Sequence, residues 1–272
     1  MNTEQIADMV LRKAGLTDMP ADSGILVRGE NLRKVFAGID MATPELLLAR
    51  EMGADLVLSH HPQAGAPEVF FYQVMERQID KMVEAGIPVN RAQKALRQQA
   101  GKVERSSHSE NYDRVASAAR VMNVPYMNLH VPVDVIAEDF VQSRLDQALA
   151  GKHRATLLDV LVVLQEIPEY QRALAKPVIR VGGEKDYAGR VLVLMAGGTN
   201  GGEQVFRAYF EAGIGTIVCM HLPEEVRKAV LDQNIGNVIV AGHMASDSIG
   251  MNIVCSELEG LGLEVVRMGG II

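Results

Sequence analysis

Apolar positions along the chain alternate between a helical and an extended period. Ile6, Met9 and Val10 share one helical face, and Gly15 supplies a stop. After a glycine-containing loop, residues 33–40 (RKVFAGID) predict a strand. Thr43-Pro44-Glu45 then offers an N-cap, a first-turn proline and a first-turn acid, which opens a helix ending near Gly53. It leads into residues 55–59 (DLVLS), an apolar strand of the kind covered on both faces. A second strand–helix–strand unit lies downstream: a strand at 190–195, a glycine-rich turn at 196–202, a helix at 203–210 with Gly213 as its stop, and a strand at 216–220. Gly53 is followed eight residues later by His61, and Gly213 eight residues later by His221. This weak internal repeat predicts an α/β protein of two related lobes.

The intervening stretch is less regular. Helices are expected at 68–84, 91–102 and 111–122, a strand at 124–129, and further helices at 140–149 and 156–164. The positive charges of residues 91–113 fit an anion- or partner-binding arm, but read first as a solvated helical excursion. The first lobe is assigned residues 1–140 with a helical insertion at about 68–120, completed by 241–272, and the second lobe residues 141–240.

Composition narrows the function. Of 272 residues, 48% are hydrophobic and 22% charged, enough chain for a large core. Twenty-seven Lys+Arg against thirty-four Asp+Glu leave a net charge of −7, which disfavours nucleic acid and anionic membranes as partners. No apolar run approaches the roughly 18–20 residues of a membrane span, and the N-terminus lacks a signal-peptide pattern. Cys219 and Cys255 are too few for a disulfide framework or a thiolate metal cage, so the expected setting is cytoplasmic and reducing. With no Trp, six Phe and six Tyr, the core is expected to be aliphatic.

The placement of the histidines is the informative feature. Of seven, five follow expected strands: His60 and His61 after DLVLS, His130 after PYMNL, His221 after TIVCM and His243 after NVIVAG. Strand carboxyl ends are where open α/β sheets hold ligands. Two of these sites add a carboxylate, His130-Val-Pro-Val-Asp134 and His243-Met-Ala-Ser-Asp247. Asp247 is expected in the first turn of a helix beginning at Ala245, where a helix cap and a metal ligand are both compatible roles. Adjacent residues on a strand face opposite ways, so His60 and His61 suit two neighbouring ions better than one. With His243 and the two carboxylates they form a mixed N/O set suited to Zn, Mn, Fe or Co. Two such ions about 3.5–4 Å apart are a common device for activating water on phosphate substrates.

The run Ala196-Gly197-Gly198-Thr199-Asn200-Gly201-Gly202 is neither a dinucleotide fingerprint nor a P-loop. An amide cradle for an anion, centred on Gly197, Gly198 and Gly201, and a tight turn needing glycine both fit it.

Ser-His-His-Pro after an apolar strand, His-x-x-x-Asp after another, a Gly-Gly-x-x-Gly turn and a late Gly-His-x-x-x-acid occur here in one order. That order resembles the NGG-interacting factor 3-like family, many members of which are described as GTP cyclohydrolase 1 type 2. The likeness covers 34–63, 124–134 and 190–260 and is weak over 68–120. It implies two α/β lobes with a dinuclear metal centre in the cleft between them, in a ring-like homo-oligomer such as a hexamer. It further implies that His60 and His61 ligate different ions, with Asp134 on one, His243 on the other, and the last acid bridging both. That acid is Asp247 here, where the family usually has the longer Glu. Cys-Met-His-Leu-Pro replaces the usual Thr-Gly-Glu-type strand end, so His221 inherits no ligand role.

The expected function is a hydrolase dependent on divalent metal, acting on a nucleotide or other phosphorylated small molecule. His130 and His221 are its candidate catalytic groups, and the 197–202 turn its candidate anion site. The competing expectation is a metal-binding regulator or scaffold without catalysis.

Overall fold

All 272 residues are described by a computed structural model. In chain order the elements are α1 (Thr3–Lys13), β1 (Gly24–Val27), β2 (Lys34–Gly38), α2 (Thr43–Glu51), β3 (Leu56–Ser59) and α3 (Ala66–Val69). A 3-10 turn (Phe71–Glu76) precedes α4 (Arg77–Glu84), α5 (Val89–Ser107), α6 (Arg114–Met122), β4 (Tyr126–Asn128) and α7 (Val131–Leu149). Then come α8 (Leu157–Gln165), α9 (Pro168–Arg172), β5 (Val178–Val181), β6 (Arg190–Leu194), α10 (Glu203–Glu211) and β7 (Ile214–Cys219). The chain ends with α11 (Glu224–Gln233), β8 (Asn237–Val240), α12 (His243–Gly260) and β9 (Glu264–Met268). No helix is long and apolar enough to cross a membrane.

The chain divides into two units, one of residues 1–74, 102–136 and 247–271, the other of 75–101 and 137–246 with Ile272. In the first, the sheet order is β1-β4-β3-β2-β9, with β1 antiparallel and the other pairs parallel. All four residues of β3 are buried, as its unbroken apolar run requires. α2 and α6 pack on β2, β3 and β4 through Leu46, Ala49, Val115, Ala116 and Ala119 against Phe36, Val57 and Tyr126. The Tyr126 hydroxyl donates to the Met41 carbonyl at 2.9 Å, which satisfies its one polar group in that core.

The second unit repeats this frame as β5-β8-β7-β6, again with an antiparallel first strand and parallel neighbours. Even the irregularity recurs: register shifts between Ile25 and Val27 in β1, and between Ile179 and Val181 in β5. Ser59 pairs with Asn128 as Cys219 pairs with Val240, which makes His61 and His221 equivalent positions, each two residues past its strand. The two units are therefore related α/β structures, and β9 is the addition in the first.

The outer flank of β6 is occupied by side chains of α7. Gln142 donates through Nε2 to the Val191 carbonyl at 3.3 Å and accepts the Val193 amide at 2.8 Å. One turn earlier, Glu138 accepts the amides of Met195 and Ala196 at 2.7 and 3.0 Å and pairs with Lys81.

Several expected boundaries shift for visible reasons. The 68–84 segment is broken into α3, a 3-10 turn and α4 rather than one helix. α2 begins at Thr43 itself, and the Glu45 carboxylate, not the threonine, holds the entering chain by accepting the Ala42 amide at 2.9 Å. α7 begins at Val131, well before the expected 140, with Pro132 in its first turn. Residues 131–138 are all buried, so the segment shows no polar face from which a helical period could be read.

Candidate metal centre

Hydrogen bonding between strands and loops brings together three histidines from two neighbouring strand ends. The His60 and His61 amides donate to the Gly38 and Ile39 carbonyls at 2.8 and 2.9 Å, which extends the β2–β3 pairing past Ser59. Leu129 donates to the Ser59 carbonyl at 3.0 Å and continues β3–β4 likewise, setting His130 beside His60. The His60 ring lies with its centroid 5.0 Å from that of His61 and 4.9 Å from that of His130.

Two aspartates face these rings. Asp134 lies in the first turn of α7 and is 3% exposed; Asp247 lies on α12 and is 1% exposed. His60 Nε2 is 3.3 Å from Asp134 Oδ1 and 3.7 Å from Asp247 Oδ1. His61 Nε2 is 3.4 Å from Asp247 Oδ2, and His130 Nε2 is 3.7 Å from Asp134 Oδ2. The two oxygens of Asp247 thus face different imidazoles, a disposition that the shorter aspartate arm still achieves. Because α12 begins at His243 rather than Ala245, Asp247 falls in its second turn, beyond the amides that a first-turn carboxylate caps.

A glycine makes this approach possible. A Cβ at Gly250 on α12 would lie 2.4 Å from the Val133 carbonyl oxygen and 2.7 Å from Val133 Cγ1. α12 therefore rests directly on the first turn of α7, and the two carboxylates arrive at one place.

The Nδ1 side of each ring is also held. His60 Nδ1 is 3.2 Å from the Leu129 carbonyl, His61 Nδ1 2.8 Å from Asp40 Oδ1, and His130 Nδ1 2.6 Å from Asp22 Oδ2. Burial pushes the His60 imidazole down, but Asp247 and then Asp134 outweigh it and hold the group well above its ordinary range. His130 is raised in the same way, with Asp134 and Asp22 overcoming its burial. In metal-free protein His60 and His130 therefore hold their protons more tightly, where a cation would otherwise neutralise the carboxylates.

The donor set fits a metal ion. Among buried side-chain atoms, His60 Nε2 and Asp134 Oδ1 have no hydrogen-bond partner, an expensive condition for polar atoms facing one another. His60, His61 and His130 offer nitrogen atoms within 4.8 Å of one another, and so do His60, Asp134 and Asp247 with one nitrogen and two oxygens. Imidazole and carboxylate without thiolate is the chemistry of Zn, Mn, Fe or Co.

No family sequence model and no curated protein sequence matches the chain. Among solved structures, a NIF3 superfamily protein from Sphaerobacter thermophilus is 34% identical, covers 99% of this chain and 98% of its own, and superposes with a TM-score of 0.95. The chain belongs to the NIF3 superfamily. A more distant structural match is reduced HcgD from Methanocaldococcus jannaschii, at 13% identity, TM-score 0.62 and coverage of 98% and 97%. A Bacillus cereus protein related to NIF3 follows at 11% identity, TM-score 0.58 and coverage of 98% and 96%. These last two share the fold.

The remaining candidates sit as follows. His243 opens α12, one turn before Asp247 and so on the same helix face, and its ring centroid is 5.3 Å from that of His221. Both are exposed. Gly197, Gly198 and Gly201 belong to the turn after β6, all with positive φ. Gln78 Nε2 donates to the carbonyls of Gly197 and Thr199 at 2.7 Å each, and a Cβ at Gly197 would meet Gln78 Cγ at 2.8 Å. The amides of Met195, Ala196, Thr199, Gly201 and Gly202 all find acceptors within the same unit.

Asp22 and Asp40 are absent from the sequence reading of this NIF3 chain. Asp40 ends the expected strand 33–40, and an acid at a strand end beside a histidine strand was a usable signal. Asp22 carried none: it precedes β1, an unrecognised strand, and reaches His130 across 108 residues.

Proposed function

We propose that the chain is a divalent-metal-dependent hydrolase of a nucleotide or other phosphorylated small molecule, with a dinuclear centre. The supporting observation is the set of buried imidazole nitrogens and carboxylate oxygens, two of them without other partners. His60, His61, Asp134 and Asp247 would hold the metal, with His243 completing the set from one turn before Asp247. A divalent ion bound there supplies Lewis-acid polarisation and a water activated at neutral pH. The chain's own part is to orient: His60 and His61 present Nε2 from consecutive positions of one strand end, and Asp247 turns one oxygen to each. Nothing among these residues selects guanine, so the GTP cyclohydrolase activity implied by resemblance is left out of the proposal. The 197–202 turn is left out too, because the amides of Thr199, Gly201 and Gly202 already find acceptors within it.

The test is elemental analysis of purified protein beside His61→Ala and Asp247→Ala. Two equivalents per chain, reduced in both variants, support the dinuclear reading. One equivalent insensitive to Asp247→Ala gives a mononuclear site, and no metal after reconstitution with Zn, Mn and Fe ends the ligand assignment. The second reading, a metal-binding regulator or scaffold, draws on the amides of Thr199, Gly201 and Gly202, which are already engaged within the glycine turn. Inhibition of metal loading by phosphate or nucleotide favours the hydrolase; indifference favours closed ligation. We also propose self-association, supported by Leu47 and Leu48 on α2 and Met52 just past its end, large apolar residues that are exposed. Light scattering that gives a monomer would end that part.

A further inference from the structure

We infer that His130 is itself a metal ligand through Nε2, and that Asp22 is the positioning residue that makes it one. The inference rests on the metal reading above and adds one imidazole and one carboxylate to it.

The three rings share a single design. Each has its Nδ1 at an acceptor, and each turns Nε2 to a buried carboxylate: His60 to Asp134 at 3.3 Å and Asp247 at 3.7 Å, His61 to Asp247 at 3.4 Å, and His130 to Asp134 at 3.7 Å. A neutral imidazole that donates from Nδ1 has a bare Nε2, the form a metal takes. The acceptors differ: a carbonyl for His60, a largely exposed carboxylate for His61 and a fully buried carboxylate for His130. The His130–Asp22 contact, at 2.6 Å, is the shortest of the three.

The Oδ2 of Asp22 is not needed to hold the fold at that point, because the β1–β4 edge is secured by other atoms. Asn128 Nδ2 donates to the Asp22 carbonyl at 2.7 Å, and the His130 amide donates to Ser23 Oγ at 2.9 Å. Ser23 Oγ in turn donates to Asp22 Oδ1 at 3.1 Å, which leaves Oδ2 aimed at the ring. The His130 ring also packs against Phe71, centroid to centroid 5.4 Å, and is 6% exposed. A ring fixed on both sides and shut from solvent suits coordination, whereas a proton carrier has to exchange with water.

The test uses full-length protein loaded with zinc and labelled with 15N in histidine. Long-range proton–nitrogen correlation is expected to show His130 protonated at Nδ1 and bare at Nε2, with the Nε2 shift of a zinc-bound nitrogen. His130 protonated at Nε2 would overturn the inference with no variant needed. In chelator competition, Asp22→Asn is expected to weaken zinc binding about 10–100-fold, and Asp40→Asn less, since water can replace an exposed oxygen. Unchanged affinity in a folded Asp22→Asn protein, while His60→Ala loses zinc, overturns the positioning role and leaves the metal centre standing. Wild-type protein that takes up no zinc, manganese or iron overturns both.

Discussion

The two units build the same strand order with the same bulge and fill their strand ends with opposite things. In the first, the ends of β2, β3 and β4 carry Asp40, His60 with His61, and His130. The equivalent positions in the second, by strand pairing, carry Ala196, Met220 with His221, and Gly242. Where the first unit gathers imidazoles around buried carboxylates, the second spends its buried carboxylate, Glu138, on backbone amides. A repeated frame supplies places for chemistry, and the residues put there decide whether any occurs.

The sharpest way to break that contrast is to remove equivalent imidazoles. His61→Ala is expected to remove most bound metal, and His221→Ala to leave the stoichiometry unchanged, both read by elemental analysis. Equal losses would mean that His221 takes part in ligation too.

Two glycines separate packing from ligation. Gly250→Ala forces α12 off Val133 and is expected to cost about 1–3 kcal/mol and to lower metal retention with it. Gly236→Ala drives a Cβ to within 2.0 Å of the Phe210 ring in the second unit. It is expected to cost a similar amount while leaving metal content unchanged. Thermal melts and elemental analysis on both variants check the pair. Glu138→Ala leaves the buried Met195 and Ala196 amides without their acceptor, a loss of about 1–3 kcal/mol that denaturant titration would read. Its metal content is expected to match wild type.

The smallest effect expected is in pH. His60 and His130 are raised in the metal-free fold, so their contribution is present below the unfolded imidazole value and is lost as pH rises through the folded ones. Metal needs the bare rings, so loading improves over the same rise. The gap in Tm between loaded and metal-free protein is therefore expected to widen by a few degrees from about pH 6 to about pH 8.5. A constant gap would mean that these imidazoles do not change protonation on loading.

Much of the frame was legible because local signals agreed with it. The β2–α2–β3 unit is announced by Pro44, Glu45, Gly53 and an apolar strand, and the equal spacing from Gly53 to His61 and from Gly213 to His221 marks the repeat. What escaped depends on distance in sequence. β9 is short, half-buried and joins β2 from the far end of the chain, and β1 pairs with β4 across about a hundred residues. At the candidate site, the sequence singles out His60, His61, His130, Asp134 and Asp247, and the structure brings these five side chains together. Asp22 reaches His130 only through the β1–β4 pairing, so no local pattern betrays it. α7 hid its start because a helix buried all round has no polar period to read.

The side chains along β6 bear on how this chain behaves in company. An exposed edge strand is a template on which another extended segment can add, the usual beginning of cross-chain sheet growth. At β6 the Val191 carbonyl and the Val193 amide are already engaged by Gln142, and the amides beyond them by Glu138. A foreign strand would have to displace two side chains of one helix together before forming its first hydrogen bond there. The β6 edge of the second sheet is thus insulated against recruitment by a device that spends no extra strand, only a glutamine and a glutamate spaced one helical turn apart.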